Sequence, residues 1–330
     1  MKVAVLDDYQ QVAFSYADWS LLPSWVTVEF FSNHISDDDL VNNMKDFDAI
    51  VGMRERTPFP KTVIEKLPKL KLLITTGWRN ASFDLEAATV NGITVCGTET
   101  GGEGTTELTW GLIIGLIRHI GIEQESSKKG FWGTTVGGDL KGQTLGILGL
   151  GHIGSLVAKV GIAFGMEVIA WSQNLTHDIA VQCGAKLVEK KVLFEKSDIL
   201  TVHLKLSERT RGIIGKKEIQ LMKPTSYLVN TSRGPIVDEK SLLDGLRNRV
   251  IAGAALDTFN VEPLPIDHEL LKLSNVLLTP HLGYTTQESY RAFFSGVVED
   301  LSTFIQNAPV RVLNPEVLKS KSLRGLNRKN

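Results

Sequence analysis

One stretch limits how this chain can fold. An apolar run of strand type, Thr144-Leu-Gly-Ile-Leu148, leads into Gly149-Leu150-Gly151-His152-Ile153-Gly154, and Ser155-Leu-Val-Ala-Lys-Val then begins a helical pattern. In a G-x-G-x-x-G turn the first glycine permits a tight turn off the strand, and the second lets the backbone approach a pyrophosphate. The third lets the helix pack on the sheet, with its N-terminal amides facing the phosphates. Three glycines alone also describe an empty turn. The strand before and the helix after point to a dinucleotide site that includes Gly149, Gly151, His152, Ile153 and Gly154.

With 330 residues, two domains are expected. Strand patterns fall at 3–6, 26–31, 49–52, 72–75 and 93–96, with Ser36 as the N-cap of a helix that starts on three acids. A second set falls at 145–148, 168–171, 199–203, 227–230, 251–256 and 276–279. Alternating strands and helices predict parallel sheets covered on both faces. The expected architecture is α/β, with two doubly wound parallel-sheet domains: 1–100 plus 285–330, and an inserted Rossmann domain over 101–284. Between them a helical pattern runs from about 103 to 129. It is apolar on most faces from Leu108 to Ile117, so burial between domains or in a subunit interface is expected. Thr285-x-x-Glu288 reads as the capping box of a helix that returns to the first domain. The basic stretch from Lys319 to Asn330 reads as a frayed tail.

The formal net charge of −1 gives no global field to recruit nucleic acid or a membrane. Arg118 and His119 interrupt the most apolar stretch, and the N-terminus has no long apolar signal core, so a cytoplasmic address is expected. Cys96 and Cys183 read as small core residues, and no metal site is expected.

The residues after the strand at 168–171 select between cofactors, because a carboxylate there repels a 2′-phosphate. Here the run is Ser172-Gln173-Asn174-Leu175-Thr176, with no acid to exclude NADP and no Arg or Lys to hold its phosphate. Ser172, Asn174 and Thr176 can bond either cofactor, so both NAD and NADP stay open.

Hydride transfer at a carbinol carbon also needs a proton donor and acceptor, a cation for the substrate, and a group to tune the acid. Three strand ends offer them: Arg233 in Asn230-Thr-Ser-Arg-Gly-Pro, Glu262 in Asp257-Thr-Phe-Asn-Val-Glu-Pro, and His281 in Thr279-Pro-His-Leu-Gly. Crevices in open α/β sheets lie at such carboxyl ends.

These motifs, in this order and with the glycine turn, resemble the D-isomer-specific 2-hydroxyacid dehydrogenases, and more narrowly their D-3-phosphoglycerate dehydrogenase-like and glyoxylate/hydroxypyruvate reductase-like members. The likeness covers nearly the whole chain, to about Asn314-Pro-Glu-Val-Leu. It implies a flavodoxin-like substrate domain split in sequence and a homodimer formed through the helix after Glu103. It also implies an NAD(P)-dependent interconversion of a small 2-oxo acid and its D-2-hydroxy acid. His281 would be the general acid, Glu262 would hydrogen-bond its imidazole and raise its pKa, and Arg233 would hold the substrate carboxylate and carbonyl. Asp257 would lie near the nicotinamide, while Thr231, Ser232, His203 and Leu204 would line the cofactor. On the substrate side, Gly77, Trp78 and Arg79, with Asn80, would receive the carboxylate, and Arg54 would meet a second anionic group.

There are departures. Glu55 stands where phosphoglycerate dehydrogenases carry Ser in an Arg-Ser-Arg-Thr run, Trp78-Arg79 is bulkier than usual, and Lys205 replaces a small or apolar residue. Arg54 and Arg56 also read simply as charges solvated around Glu55. The chain ends soon after the returning helix, so no serine-regulated C-terminal domain is expected. The alternative to an enzyme is a dehydrogenase-fold NAD(H)-sensing corepressor, since some relatives keep the catalytic residues in that role.

Overall fold

Short apolar runs bounded by turn residues become strands, and every named strand pairs in parallel with its neighbours. The computed structural model describes residues 1–325 and divides into two units, one of residues 1–102 with the segment from 286 onward, the other of residues 103–285.

The first unit holds β1 (Lys2–Val5), β2 (Thr27–Phe30), β3 (Ala49–Gly52), β4 (Leu72–Thr75) and β5 (Thr94–Gly97), in the order β2-β1-β3-β4-β5. Every residue of β3, β4 and β5 is buried, as a parallel sheet covered on both faces requires. Ser36 caps the helix Asp37–Met44, its hydroxyl accepting from the Asp39 amide at 3.3 Å. The returning helix Gln287–Ile305 belongs to this unit and buries Phe293, Phe294, Val297 and Leu301. Its cap is Thr286, which accepts from the Ser289 amide at 3.2 Å, and not Thr285. The Thr285 amide is tied back to the Leu282 carbonyl at 2.8 Å, so the helix starts one residue later. The tail does not fray from 319. The Arg324 amide donates to the Gly92 carbonyl at 2.8 Å, and its guanidinium reaches the carbonyls of Leu67 (3.0 Å), Pro68 (3.2 Å) and Leu70 (3.0 Å). A cation set among three backbone carbonyls fixes this end; residues 326–330 of the expected tail lie outside the described residues.

The second unit holds β6 (Thr144–Leu148), β7 (Glu167–Trp171), β8 (Lys186–Leu187), β9 (Ile199–Val202), β10 (Tyr227–Asn230), β11 (Gly253–Leu256) and β12 (Val276–Leu278). The order is β12-β11-β10-β9-β6-β7-β8, so strand order reverses between β6 and β9. A ligand crevice forms at such a reversal. The edge strand β8 is too short to leave a period in the sequence. The long helix expected from 103 to 129 is two helices, Gly104–Ile117 and Ile120–Lys128, broken where His119 takes a left-handed φ of 52°. Trp110, Ile113, Leu116 and Ile117 pack with Leu145, Val157, Ile199 and Ala255. The apolar surface of the first helix is thus largely consumed inside its own unit. The second helix buries none of its residues. It exposes Ile120 and Ile122, and the loop beyond exposes Phe131, Trp132 and Val136. Among the described residues no helix is long and apolar enough to cross a membrane.

Candidate active site

The glycine turn follows β6. Gly149 has φ 104°, and a Cβ there would sit 2.8 Å from the His203 carbonyl group, so the turn lies directly against the end of β9. A Cβ on Gly154 would meet the Gly149 carbonyl at 2.2 Å, which fixes the close seating of the helix His152–Ala163. A Cβ on Gly151 would meet nothing within 4 Å. That open side, at the start of a helix with no acid in its first turn, fits a pyrophosphate against the first amides of the helix. His152 is exposed and faces Glu103 at 3.2 Å, and Ile153 is half-buried in the unit's core. At the end of β7, Ser172 is half-buried and Asn174 exposed, while the Thr176 hydroxyl caps the helix His177–Gln182.

Next to the turn, the ends of β9 and β10 are joined. The Ser232 hydroxyl donates to the Leu204 carbonyl, and the Ser232 amide donates to Asn230 Oδ1 at 3.0 Å. His203 Nε2 meets the Thr201 hydroxyl at 2.9 Å, and burial pushes this imidazole down to about 3, so it is neutral. Thr231 is buried, its hydroxyl 2.8 Å from that of Thr109.

Three further loops carry the charged groups. Arg233 follows β10, with its carbonyl held by Asn230 Nδ2 at 2.9 Å and its Nη1 donating to the Ser232 carbonyl at 2.7 Å. The next residue, Gly234, lies so close to Phe259 that a Cβ would overlap its carbonyl carbon at 2.1 Å. The Phe259 amide in turn donates to Glu262 Oε1 at 2.8 Å, so the Arg233 and Glu262 loops are packed as one. The other carboxylate oxygen of Glu262 is 2.6 Å from His281 Nδ1. A nitrogen facing a carboxylate at that distance carries the proton, which leaves Nε2 as the nitrogen free for chemistry. The pair is partly shielded, with side-chain exposures of 15% for His281 and 26% for Glu262. The Tyr284 ring stands edge-on to the imidazole, 5.4 Å between centroids.

Asp257, at the end of β11, is fully buried. Its Oδ1 accepts from the Thr279 hydroxyl at 2.6 Å and the Leu282 amide at 2.7 Å, and its Oδ2 accepts from the Gly283 amide at 2.9 Å. Burial raises this carboxyl above the ordinary carboxylate range, against the pull of those three donors. The carboxylate therefore organises the loop that carries His281.

In the first unit the loops after β3 and β4 interlock. The Arg54 amide donates to the Thr76 hydroxyl at 2.9 Å, and its guanidinium lies over Gly77, in space that a side chain would otherwise fill. Arg54 Nε is 3.9 Å from Glu55 Oε2, and Arg56 donates to the Asp7 carbonyl at 3.0 Å with its guanidinium 4.5 Å from the Tyr9 ring centroid. The Gly77 amide donates to the Thr98 hydroxyl at 2.8 Å. Trp78 is 51% exposed, and Arg79 is exposed beside it. Asn80 is a brace: its amide donates to the Arg54 carbonyl at 2.5 Å and the Thr75 hydroxyl at 3.0 Å.

Sequence reasoning missed Thr105 and Thr109. Thr105 donates to the Gly283 carbonyl at 3.0 Å, and Thr109 donates to the Thr105 carbonyl at 2.7 Å. Their loop partners lie more than a hundred residues away in the chain, so no local spacing announces them.

Residues 110–283 match the family model described as D-isomer specific 2-hydroxyacid dehydrogenase, NAD binding domain. The chain is 38% identical over 270 residues to a glyoxylate reductase of Aeropyrum pernix, covering 78% of this chain and 80% of that protein. It is 37% identical over 276 residues to a D-3-phosphoglycerate dehydrogenase of Methanocaldococcus jannaschii, covering 82% of this chain and 52% of that protein. The chain thus spans about half the length of that dehydrogenase. The crystal structure of a phosphoglycerate oxidoreductase from Vibrio cholerae O395 superposes with a TM-score of 0.88 at 36% identity, covering 93% of this chain and 100% of that one.

Proposed function

Because the chain belongs to the D-isomer-specific 2-hydroxyacid dehydrogenase family, we propose that it interconverts a small 2-oxo acid and the D-2-hydroxy acid with NAD or NADP. The observation that carries this reading is the 2.6 Å His281–Glu262 pair, packed through Gly234 against the Arg233 loop. When bound, the reduced nicotinamide supplies the hydride. His281 gives its Nε2 proton to the substrate oxygen in reduction and takes it back in oxidation. Glu262 accepts a hydrogen bond from the Nδ1–H, which fixes the tautomer and balances the imidazolium charge. Arg233 holds the substrate carboxylate and carbonyl with its fork of donors.

The second unit is the dinucleotide domain in this reading. Gly149, Gly151, His152, Ile153 and Gly154 hold the pyrophosphate, with Ser172 and Asn174 at the ribose. His203, Leu204, Thr231, Ser232 and Asp257 line the remaining length. The first unit is the substrate domain in this reading, contributing Arg54, Gly77, Trp78 and Arg79. The exposed apolar run of Ile120, Ile122, Phe131, Trp132 and Val136 supports a homodimer joined there.

The test is oxidation of NADH and NADPH, in parallel, with glyoxylate, hydroxypyruvate, pyruvate, phenylpyruvate and 3-phosphohydroxypyruvate. Turnover with one or two acids is expected, and light scattering on the same preparation is expected to give twice the chain mass. Tight cofactor binding without turnover on any acid would overturn the enzymatic reading.

A further inference from the structure

We infer that Thr105 is a positioning residue for proton transfer, holding the His281 loop through Gly283, and that Thr109 ties the same helix to the Arg233 loop. The inference rests on His281 being the general acid and base.

His281 has a φ of 53°, a left-handed backbone that a residue with a Cβ adopts at a cost. Such a conformation persists only where the surroundings over-determine it. Two residues on stands Gly283, which by itself is free to rotate. Side chains hold its peptide groups on both sides. Asp257 takes the Leu282 and Gly283 amides at 2.7 and 2.9 Å, and the Thr105 hydroxyl donates to the Gly283 carbonyl at 3.0 Å. The Asp257 contacts come from the end of β11, and the Thr105 contact comes from the first turn of the helix Gly104–Ile117. Among the described residues, removing the threonine hydroxyl leaves the Gly283 peptide the hydrogen bond from its N–H to Asp257.

Proton counting extends the link. Thr109 uses its single hydroxyl proton on the Thr105 carbonyl at 2.7 Å, so in the 2.8 Å contact with Thr231 the donor is Thr231. The two threonines, four residues apart, share one face of the helix. One thus reaches the residue two beyond His281, and the other reaches the residue two before Arg233. A single rigid helix face therefore sets the spacing between the proton donor and the substrate cation.

The test compares Thr105→Val, which keeps the shape and loses the hydroxyl, with Thr105→Ser, which keeps the hydroxyl. Steady-state kinetics, NADH Kd by fluorescence, and amide exchange across residues 279–285 are measured on the full-length protein. For Thr105→Val, kcat is expected to fall about tenfold, the effect of one lost hydrogen bond on a positioned group. NADH Kd should not change, exchange at Leu282 and Gly283 should quicken, and Thr105→Ser should match the parent. An active parent with a Thr105→Val variant of equal kcat would overturn the inference. So would a serine variant as impaired as the valine one, since the methyl group would then be the cause. If the parent reduces no 2-oxo acid, the catalytic reading falls, and amide exchange still decides the clamp: unchanged exchange would overturn it.

Discussion

Two histidines stand at strand ends in the second unit, and their partners give them opposite characters. His281, beyond β12, faces the Glu262 carboxylate at 2.6 Å with its ring partly open to solvent. His203, beyond β9, meets the Thr201 hydroxyl at 2.9 Å and is desolvated to the point of staying neutral. An imidazole at a carboxyl-terminal strand end is therefore no sign of proton chemistry. The difference lies in the partner, a carboxylate brought in from a different strand end at His281 and a hydroxyl at His203.

Removing the proposed proton donor tests that contrast hardest. His281→Gln is expected to lower kcat by about a hundredfold or more, the usual contribution of a positioned acid, with cofactor affinity retained. Stopped-flow turnover beside NADH titration checks both halves, and turnover equal to the parent would remove His281 from the mechanism. Glu262→Gln keeps an acceptor for Nδ1 but loses the charge, so a drop of about ten- to a hundredfold in kcat is expected. An unchanged rate would make the two histidines alike in this respect.

The smallest effect concerns His203 and is read in stability. Its folded pKa, about 3, lies below the ordinary 6.5, so between those values the unfolded chain binds a proton that the native state refuses. Its contribution is thus intact above pH 6.5 and is lost as pH falls, with a slope approaching about 1.4 kcal/mol per pH unit. His203→Gln should flatten the acid limb of denaturation midpoints measured from pH 7 to pH 4. An unaltered limb would mean that the ring is not desolvated.

What the sequence made legible was whatever depends on local spacing. The glycine turn, the strand runs and the Ser36 cap each rest on neighbours within a few residues, and they appear where their patterns lie. The break at His119 was half visible, because Arg118 and His119 interrupt the apolar run. Its left-handed backbone, however, follows a helix whose apolar residues pack in the core of the unit, and no local pattern announces it. The docking of Arg324 was hidden, because its acceptors are carbonyls around Leu67 to Leu70, and carbonyls are the same in every residue. Thr105 was hidden for a related reason: a threonine in a first helical turn looks like any other until Gly283 arrives beside it. Asp257 was visible as a charge at a strand end, but its three donors include two backbone amides that no side-chain pattern announces.

The interrupted first unit also sets an order of events during synthesis. All five of its strands lie in the first 102 residues, but the helix that buries Phe293, Phe294, Val297 and Leu301 follows the whole of the second unit in the chain. As the chain emerges from the ribosome, the sheet of the first unit must wait with one covering helix missing. The second unit is contiguous and has every one of its parts by residue 285. The inserted unit is therefore complete before the unit that it interrupts.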